Sequence, residues 1–531
     1  MGRPLPVIYV RGFAGATSGI DRAVDDPFYG FNAGATHMRV AGDGEPAFYQ
    51  FEGPLVRLMS DEEYEVLVYG NQEAFLKASG RDTLKPSSLW IYRFYDSAAD
   101  TFGRKGRPYD LLTAARELFE FVKLVRDKTA APKVWLVAHS MGGLICRSML
   151  QKVCPDNGVA ADALVDKFFT YATPHNGIAF SIAGINVAVP EIAPFGAEIF
   201  NRERMYAYLT PEADLTRQPK PPPPGRDGSP GWDAHVIPGS VLSRDRVFCL
   251  IGTDAGDYGL VSRAVGPKSD GLVQIDNAYV RGAHRAFVHR SHSGAYGEVN
   301  SEEGYQNLRR FLFGSLKVAV ELCGLKLPGA APGQRNDVKD VWQGEVRVSV
   351  RGLPVVINEQ LTAHYCPIQL NMEEGRVQDS PDAPVPLTTI FLLDPDRDAG
   401  RRSEVGQEVS PRCRYSLQMR TIHLQERNGT FFWQHHLETA ADWEDTLVVD
   451  VGPADDDASG RTRVWAAWRS QLPAVASTSA QDPIGPRPLD PAPQRANDPP
   501  EAVAFTVDVP PAGRTVLGPE SALRLTAVPW T

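Results

Sequence analysis

Residues 134–143 read Val-Trp-Leu-Val-Ala-His-Ser-Met-Gly-Gly, and this stretch decides the fold of the first part of the chain. The apolar run 134–138 is typical of a buried strand, and a helical pattern starts directly after Ser140. A serine at such a junction lies on a sharp turn that lifts its hydroxyl above the sheet edge, and its neighbours must be small. Ala138 and Gly142 meet that demand. The pattern A-x-S-x-G therefore predicts a nucleophilic serine, against the alternative of an ordinary turn whose serine caps the helix.

Short apolar runs alternate with helical patterns on both sides of this stretch. The clearest helix runs from Asp110, a predicted N-cap, to about Thr129, with apolar residues at three- and four-residue spacing. Strands that alternate with helices predict the α/β fold class, with a mostly parallel sheet and helices on both faces. The predicted strands in this part are 7–10, 89–94, 134–138, 168–172 and 247–251.

A long insertion, at about residues 178–245, interrupts the alternation. Its first part is apolar with internal glycines and prolines, and its later part is polar and proline-rich. Such segments inside a compact domain are usually functional loops or lids, although a surface loop without a role gives the same pattern. We expect its apolar residues to face an apolar acyl group, against the alternative of a buried core helix. The candidate pocket residues are Ile182, Ile185, Val189 and Phe195.

A second domain is predicted from a change in sequence texture. The first domain, 1–327, is expected to end with a helix from Tyr305 to Leu322, and a Pro- and Gly-containing linker follows at 328–337. From 338 to 531, short alternating runs are separated by turn signals, which predicts an all-β, sandwich-like domain. Residues 473–500, rich in Pro, Ala and Asp, are predicted to form a flexible loop within it.

Composition narrows the class of protein. The 531 residues include 55 basic and 65 acidic side chains, a net charge of −10, which argues against nucleic-acid binding because that normally needs a basic face. The 6 cysteines are scattered without a C-x-x-C pair, so neither a disulfide scaffold nor a zinc ribbon is predicted. Neither a transmembrane stretch nor a signal peptide is recognisable. The expected location is cytoplasmic, with leaderless export as the alternative.

A nucleophilic serine needs a base and an acid, and in folds with this serine turn the order along the chain is Ser, Asp or Glu, His. Asp270, in a loop behind a predicted strand, is the best acid candidate. His292 lies between small neighbours and is the preferred base, with His289 as the alternative. An oxyanion hole would use the backbone N–H of Met141 and that of Phe13 in an early glycine-containing loop, unless that loop is a plain turn.

Residues 5–325 resemble the serine lipase and esterase branch of the α/β-hydrolase superfamily, including bacterial lipases and GPI inositol-deacylase-like lipases. Two positions depart from that pattern: Arg11 stands where these lipases commonly carry His before Gly-Phe, and Ala138 replaces the first Gly of the serine motif. The segments that carry the resemblance are 7–15, 138–143, 172–177, 269–273 and 291–294. The resemblance implies an α/β-hydrolase domain with the nucleophile Ser140, the acid Asp270, the base His292 and the amide donors Phe13 and Met141.

These observations predict a serine carboxylic-ester hydrolase, an esterase or lipase that needs no cofactor and no metal. Residues 394–400 space carboxylates like a calcium loop, but the glycine comes one position late for an EF-hand. The expected partner is a small-molecule or lipid ester. Three alternatives stay open: a phospholipase, an acyltransferase with the same triad, and a lipid-targeting effector. In the last of these the β domain would contact a protein partner, a membrane surface or a glycan.

Overall fold

A computed structural model of the protein describes the chain in several stretches. Within these stretches no helix is long and apolar enough to cross a membrane. The described residues are 4–12, 39–40, 46–47, 53–68, 71–92, 94, 110–177, 181–182, 185–186, 201–225, 231–256, 265–293, 297–328, 338–370, 383–394, 412–427, 441–452, 462–472, 483–485 and 487–531.

The chain divides into two compact units. The sequence-based division at residue 327 differs from this one, because Leu316–Cys323 is a strand hydrogen-bonded within the second unit. The first unit comprises Met1–Arg285 and His289–Leu308, and the second comprises Ala286–Val288 and Arg309–Thr531.

The helix predicted from Tyr305 to Leu322 is wrong in its second half. The helix spans Glu302–Phe313. The strand Leu316–Cys323 follows and pairs antiparallel with Ala522–Pro529. Every second residue from Val318 onwards is buried, which is the period of a strand with one face on the core. Apolar residues four apart in this segment also fit a helix, so the sequence period alone could not decide between the two.

The first unit contains most of a seven-stranded sheet. In spatial order its strands are β11 (His284–Val288), β10 (Val247–Gly252), β7 (Val165–Tyr171), β6 (Val134–His139), β1 (Val7–Val10), β5 (Ser88–Tyr92) and β4 (Glu65–Val66). The pairings from β10 through β4 are parallel. The carboxyl ends of these strands therefore meet at one edge of the sheet. This confirms the predicted α/β class.

Helices accompany the strands of this sheet. The N-cap predicted at Asp110 is present. The Asp110 carboxylate accepts the N–H of Thr113 at 2.9 Å, at the start of a helix whose apolar face is buried. The helix that follows Ser140 continues as a π-helical turn, Met149–Val153. The α-helices described between residues 53 and 313 are α1 (Gly53–Glu62), α2 (Gln72–Ala78), α3 (Leu111–Thr129), α4 (Met141–Ser148), α5 (Cys154–Asp156), α6 (Arg202–Leu209), α7 (Glu212–Arg217) and α8 (Glu302–Phe313).

The predicted insertion is described in part. Strands β8 (Ser181–Ile182) and β9 (Ile185–Asn186) form an antiparallel pair in which Ile182 lies opposite Ile185. Helices α6 and α7 follow. Val189 and Phe195 lie outside the described residues. A second short pair, β2 (Arg39–Val40) with β3 (Pro46–Ala47), lies earlier in the chain.

The second unit contains two antiparallel sheets that share one hydrophobic core. This confirms the predicted β-rich, sandwich-like domain. A short helix, α9 (Pro511–Leu517), joins its last two strands. Of the predicted loop 473–500, residues 473–482 and 486 lie outside the described part. One sheet contains β16 (Val385–Leu392), β12 (Leu316–Cys323), β22 (Ala522–Pro529), β21 (Val503–Asp508) and β20 (Pro491–Ala492). The other contains β14 (Val356–Gln360), β13 (Val338–Val350), β17 (Cys413–Arg427), β18 (Trp443–Gly452) and β19 (Arg463–Trp468), with β15 (Ile368–Gln369) paired to β13.

Candidate active site

Ser140 lies at the turn between β6 and α4, in a backbone conformation that side chains rarely adopt. Its φ is 51° and its ψ is −125°. Two backbone hydrogen bonds hold the turn: the Ser140 N–H donates to the carbonyl of Tyr171 at 2.8 Å, and the N–H of Gly143 donates to the Ser140 carbonyl at 3.0 Å. Such strain is typical of functional sites. Here it fits a serine held at the carboxyl edge of the sheet.

Gly142 explains the small residue that the serine motif requires. A methyl group added at its Cα would lie 2.5 Å from the carbonyl oxygen of Arg11 and also against that of Val10. The start of α4 therefore packs directly on the backbone at the carboxyl end of β1. Any larger residue at position 142 would push the serine turn away from the sheet.

A continuous hydrogen-bond chain joins Ser140, His292 and Asp270. His292 Nε2 lies 3.0 Å from the Ser140 hydroxyl oxygen, and His292 Nδ1 lies 2.8 Å from Asp270 Oδ2. The other carboxylate oxygen of Asp270 accepts the N–H groups of Leu272 at 2.9 Å and Val273 at 2.6 Å. A carboxylate can only accept, so Nδ1 carries the proton and Nε2 is left to accept the serine proton.

His139 is a site residue that the sequence reasoning missed. Its Nε2 lies 2.9 Å from the carbonyl oxygen of His292, and the two rings lie 4.9 Å apart. Burial, together with the neighbouring charges of His292 and Arg11, lowers the pKa of His139 well below its usual value. The ring is therefore neutral, with its Nε2–H donated to the main chain of His292. The position directly before the nucleophile was the one sequence signal that pointed to this residue.

The comparison with protein families agrees with this geometry. A family model described as "Putative serine esterase (DUF676)" matches residues 110–195. The match contains the strand, the serine turn and the helix that follows it. The matched segment ends before Asp270 and His292, so the family model says nothing about these two residues.

Several solved structures of lipases are similar to the chain. Bacillus licheniformis lipase BlEst2 in its mature form is 14% identical, covering 56% of this chain and 89% of that chain with a TM-score of 0.26. Its propeptide form is 11% identical, covering 86% of this chain and 95% of that chain with a TM-score of 0.29. Aspergillus fumigatus lipase B is 14% identical, covering 54% of this chain and 44% of that chain with a TM-score of 0.25. No curated protein matches the chain. The family model and the site geometry, and not these similarities, support the esterase assignment.

The alternative base, His289, contacts a different hydroxyl group. Its Nδ1 is 3.3 Å from the hydroxyl of Thr253. The structure brings His292, and not His289, to the hydroxyl of Ser140. The two histidines are three residues apart in the sequence, which could not separate them with certainty.

The two predicted amide donors differ in what the structure describes. Met141 is the first residue of α4, where a backbone N–H has no acceptor within the helix. The positive end of the helix dipole points to the same place. Phe13 lies outside the described residues, which end at Gly12 in this loop. The second amide donor is therefore still a prediction from the sequence.

A buried arginine links helix α4 to the insertion through hydrogen bonds. The Arg147 guanidinium donates to the carbonyl oxygens of His175 at 2.8 Å, Ala234 at 2.7 Å and Val236 at 3.1 Å. Its Nε donates to Gln151 at 2.9 Å. Burial lowers the pKa of Arg147 to about 10, so the side chain is charged at neutral pH. The returning end of the insertion is thereby fixed to the helix that starts at the nucleophile.

Among the residues that the structure describes, no group of three or more His, Cys, Asp or Glu side chains could hold a metal ion. Of the calcium-like segment 394–400, Asp394 alone is described.

Proposed function

We propose that the protein is a serine carboxylic-ester hydrolase that works through an acyl-enzyme on Ser140. In this proposal His292 is the general base and Asp270 holds it in the reactive tautomer. The observation that carries the proposal is the hydrogen-bond chain of 3.0 Å and 2.8 Å from the serine hydroxyl to the carboxylate. A nucleophile, a base and an orienting acid within hydrogen-bond reach are what acyl transfer by a serine requires.

The reaction would proceed in two balanced halves. The Ser140 oxygen attacks the ester carbonyl carbon while its proton passes to Nε2 of His292. The tetrahedral intermediate then collapses, the bond to the alcohol breaks, and His292 returns the proton to the leaving oxygen. Water attacks the acyl-enzyme by the same route and releases the carboxylic acid. The charge on His292 during each half is balanced by Asp270.

The negative oxygen of the tetrahedral intermediate needs donors that already point at it. We assign this role to the N–H groups of Met141 and Phe13. A donor of this kind contributes roughly 2.7–4 kcal/mol to transition-state stabilisation in enzymes where one has been removed. The placement of Met141 at the start of α4 supports its part in the proposal.

The substrate is proposed to be an ester with an apolar acyl group. This rests on the apolar sequence of the insertion, in which Ile182, Ile185, Val189 and Phe195 are the proposed pocket residues. The fold itself does not select among simple esters, phospholipids and acyl acceptors. The chain-length preference of the enzyme is therefore the measurement that decides the substrate class.

The test is hydrolysis of a p-nitrophenyl ester series from acetate to palmitate by the wild type, Ser140→Ala and Ser60→Ala. Ser60 is an exposed serine of α1 and serves as the matched control. We expect the wild type and the control to be equally active and Ser140→Ala to lose roughly a thousandfold or more in kcat. A fluorophosphonate probe should label the wild type at Ser140, as located by peptide mass spectrometry.

Full ester hydrolysis by Ser140→Ala would end the proposal. Activity in neither protein would remove simple ester hydrolysis, and the same variants would then be assayed with phospholipid vesicles and with alcohol acceptors. An optimum at long acyl chains would support the apolar pocket, and an optimum at acetate would contradict it.

A further inference from the structure

The side chain of Glu298 is a buried carboxyl group for which the described residues offer no well-formed hydrogen bond. It is fully inaccessible to solvent, and among the described residues neither carboxyl oxygen makes a hydrogen bond of good geometry. No ion pair to it is present in that part of the chain either. Buried polar groups in native proteins are nearly always paired, because an unpaired group has lost its hydrogen bonds to water without gaining others. This carboxyl group therefore needs an explanation.

Glu298 lies beside the acid of the proposed triad. A methyl group added at Gly252, the last residue of β10, would lie 2.6 Å from the carbonyl oxygen of Arg290, 2.9 Å from the Asp270 Cβ and 3.1 Å from the Glu298 Oε2. The side chains of both acids therefore pack close to the same glycine, where there is no room for a Cβ.

The donors around the two acids are unequally distributed. Asp270 accepts two backbone N–H groups and the Nδ1–H of His292. The backbone N–H of Gly252 interacts with the Glu298 carboxyl group and acts to lower its pKa. Burial, and then the charge of Asp270, raises the pKa of Glu298 well above its usual value. Burial and the neighbouring Asp270 thus both favour the uncharged form of Glu298.

None of the described groups that face Glu298 can neutralise a charge on it. Besides Asp270, the titratable neighbour is Tyr171 at the end of β7, whose pKa is raised well above its usual value by burial and by the nearby tyrosines and Glu298. The closest arginine in the sequence, Arg290, is paired with Glu303 at 2.9 Å. Ionisation of Glu298 would thus place a second, uncompensated negative charge in the interior.

The backbone of Glu298 is tied to the loop that holds the base. Its N–H donates to the carbonyl of Ser291 at 2.9 Å, directly before His292. The hydroxyl of Ser301 donates to the Glu298 carbonyl at 2.7 Å and fixes the other side of the turn. A carboxylate that turned outward to reach water would therefore displace the residue next to His292.

We propose that Glu298 is a positioning residue of the esterase site: as a neutral acid it packs beside Asp270 and holds the His292 loop, and its ionisation at alkaline pH releases that loop. The inference rests on the proposed function for its effect on activity. The charge state of Glu298 does not depend on whether the protein catalyses a reaction. Glu298 thus sets the alkaline limit of the enzyme.

The first test reads the proton directly. The infrared difference spectrum between the wild type and Glu298→Gln at pH 7 should contain the C=O stretch of a protonated carboxylic acid. Glu303→Gln is the matched control, since that glutamate lies nearby and pairs with Arg290; its difference spectrum should contain the bands of a carboxylate instead. A carboxylate signal from Glu298 at pH 7 would overturn the proposal even if the protein is an esterase.

The second test follows kcat/KM and the melting temperature from pH 6 to 10 in the wild type, Glu298→Gln and Glu298→Met. We expect both variants to extend the alkaline limb of kcat/KM by about one pH unit or more relative to the wild type. As the pH rises, the ratio of unfolded to folded protein should increase in the wild type by up to about tenfold per pH unit relative to Glu298→Gln. Alkaline limbs that coincide in all three proteins would overturn the proposal. If the wild type hydrolyses no ester, the proposed function fails separately, and the infrared and melting results still decide the role of Glu298.

Discussion

His292 Nε2 lies 3.0 Å from the hydroxyl oxygen of Ser140, although 152 residues separate the two along the chain. The sheet accounts for this distance. Ser140 follows β6, and Asp270 follows β10, two positions away in the same sheet. Loops at the carboxyl edge of parallel strands converge, and the N–H of His292 is bonded to the carbonyl of Asp270 at 2.9 Å. Asp270 therefore positions both the ring and the main chain of His292.

Asp270→Asn should lower kcat by roughly three to four orders of magnitude without unfolding the protein. An asparagine amide can donate to His292 Nδ1, which favours the tautomer with the proton on Nε2, and that nitrogen can no longer accept the serine proton. Ester hydrolysis and circular dichroism on the same sample check this. Asp276→Asn is the control, since Asp276 lies in the same region but is exposed and paired with Lys268 at 2.7 Å. Equal kcat values for the two variants would show that Asp270 does not orient the base.

Gly142→Ala should destabilise the first unit by about 1–3 kcal/mol, because the new methyl group meets main-chain oxygens that cannot move independently of β1. Gly239→Ala is the matched control, since an added methyl group at Gly239 has no atom within 4 Å. Its free energy of unfolding should stay within about 0.5 kcal/mol of the wild type. Urea unfolding of both variants decides the matter, and equal midpoints would mean that the serine turn can shift to make room.

His139→Phe should reduce kcat up to about tenfold with little change in KM. The variant keeps an aromatic ring but loses the Nε2–H that binds the carbonyl of His292, a hydrogen bond worth about 0.5–1.5 kcal/mol. The pH at which activity falls on the acidic side should stay the same, because the neutral ring of His139 does not titrate with the base. A kcat equal to that of the wild type would show that the His292 backbone is held without this contact.

The sequence predicted what is local and missed what depends on burial in three dimensions. The serine turn could be found because the strand, the small residues and the helix are consecutive in the chain. The choice of His292 over His289 was less secure, since both follow the same strand. His139 and Glu298 could not be assigned roles, because their partners become neighbours only when the loops after β6, β10 and β11 meet. The helix expected at 305–322 failed because half of that segment finds its hydrogen bonds in a sheet of the second unit.

The protein should lose stability as the pH falls below about 6.5, the usual pKa of histidine in an unfolded chain. Burial, followed by the charge of Arg147 and of His235, lowers the pKa of His175 in the folded state well below its usual value. The unfolded chain then binds the proton first, so stability is present above pH 6.5 and is lost as the pH falls toward the folded-state pKa. His139 acts in the same direction. Each buried histidine contributes up to about 1.4 kcal/mol per pH unit in this window.

The measurement is urea unfolding at pH 7.5, 6.5 and 5.5 for the wild type and His175→Gln. The variant should start less stable, because it loses the contact with Thr170 at 3.2 Å, but should depend less steeply on pH. Parallel pH dependences in the two proteins would contradict a neutral, buried His175.

Asp450→Ala should destabilise the second unit by about 3–5 kcal/mol. Arg414 binds both oxygens of this carboxylate, Nε at 2.6 Å and Nη2 at 2.8 Å, and the N–H of Ile484 donates to it at 2.7 Å. The hydrogen bond to Asp450 is also the main reason that the pKa of Arg414 is raised. The Asp450 side chain is 2% exposed and that of Arg414 is 16% exposed, so removal of the acid leaves a guanidinium that little water can reach.

Asp508→Ala is the control. Its partner Arg514 lies at a similar 2.9 Å, but the Asp508 carboxylate is 76% exposed, so the loss of stability should be below about 1 kcal/mol. Urea unfolding followed by tryptophan fluorescence compares the two, and equal losses would mean that burial does not strengthen the Asp450 pair.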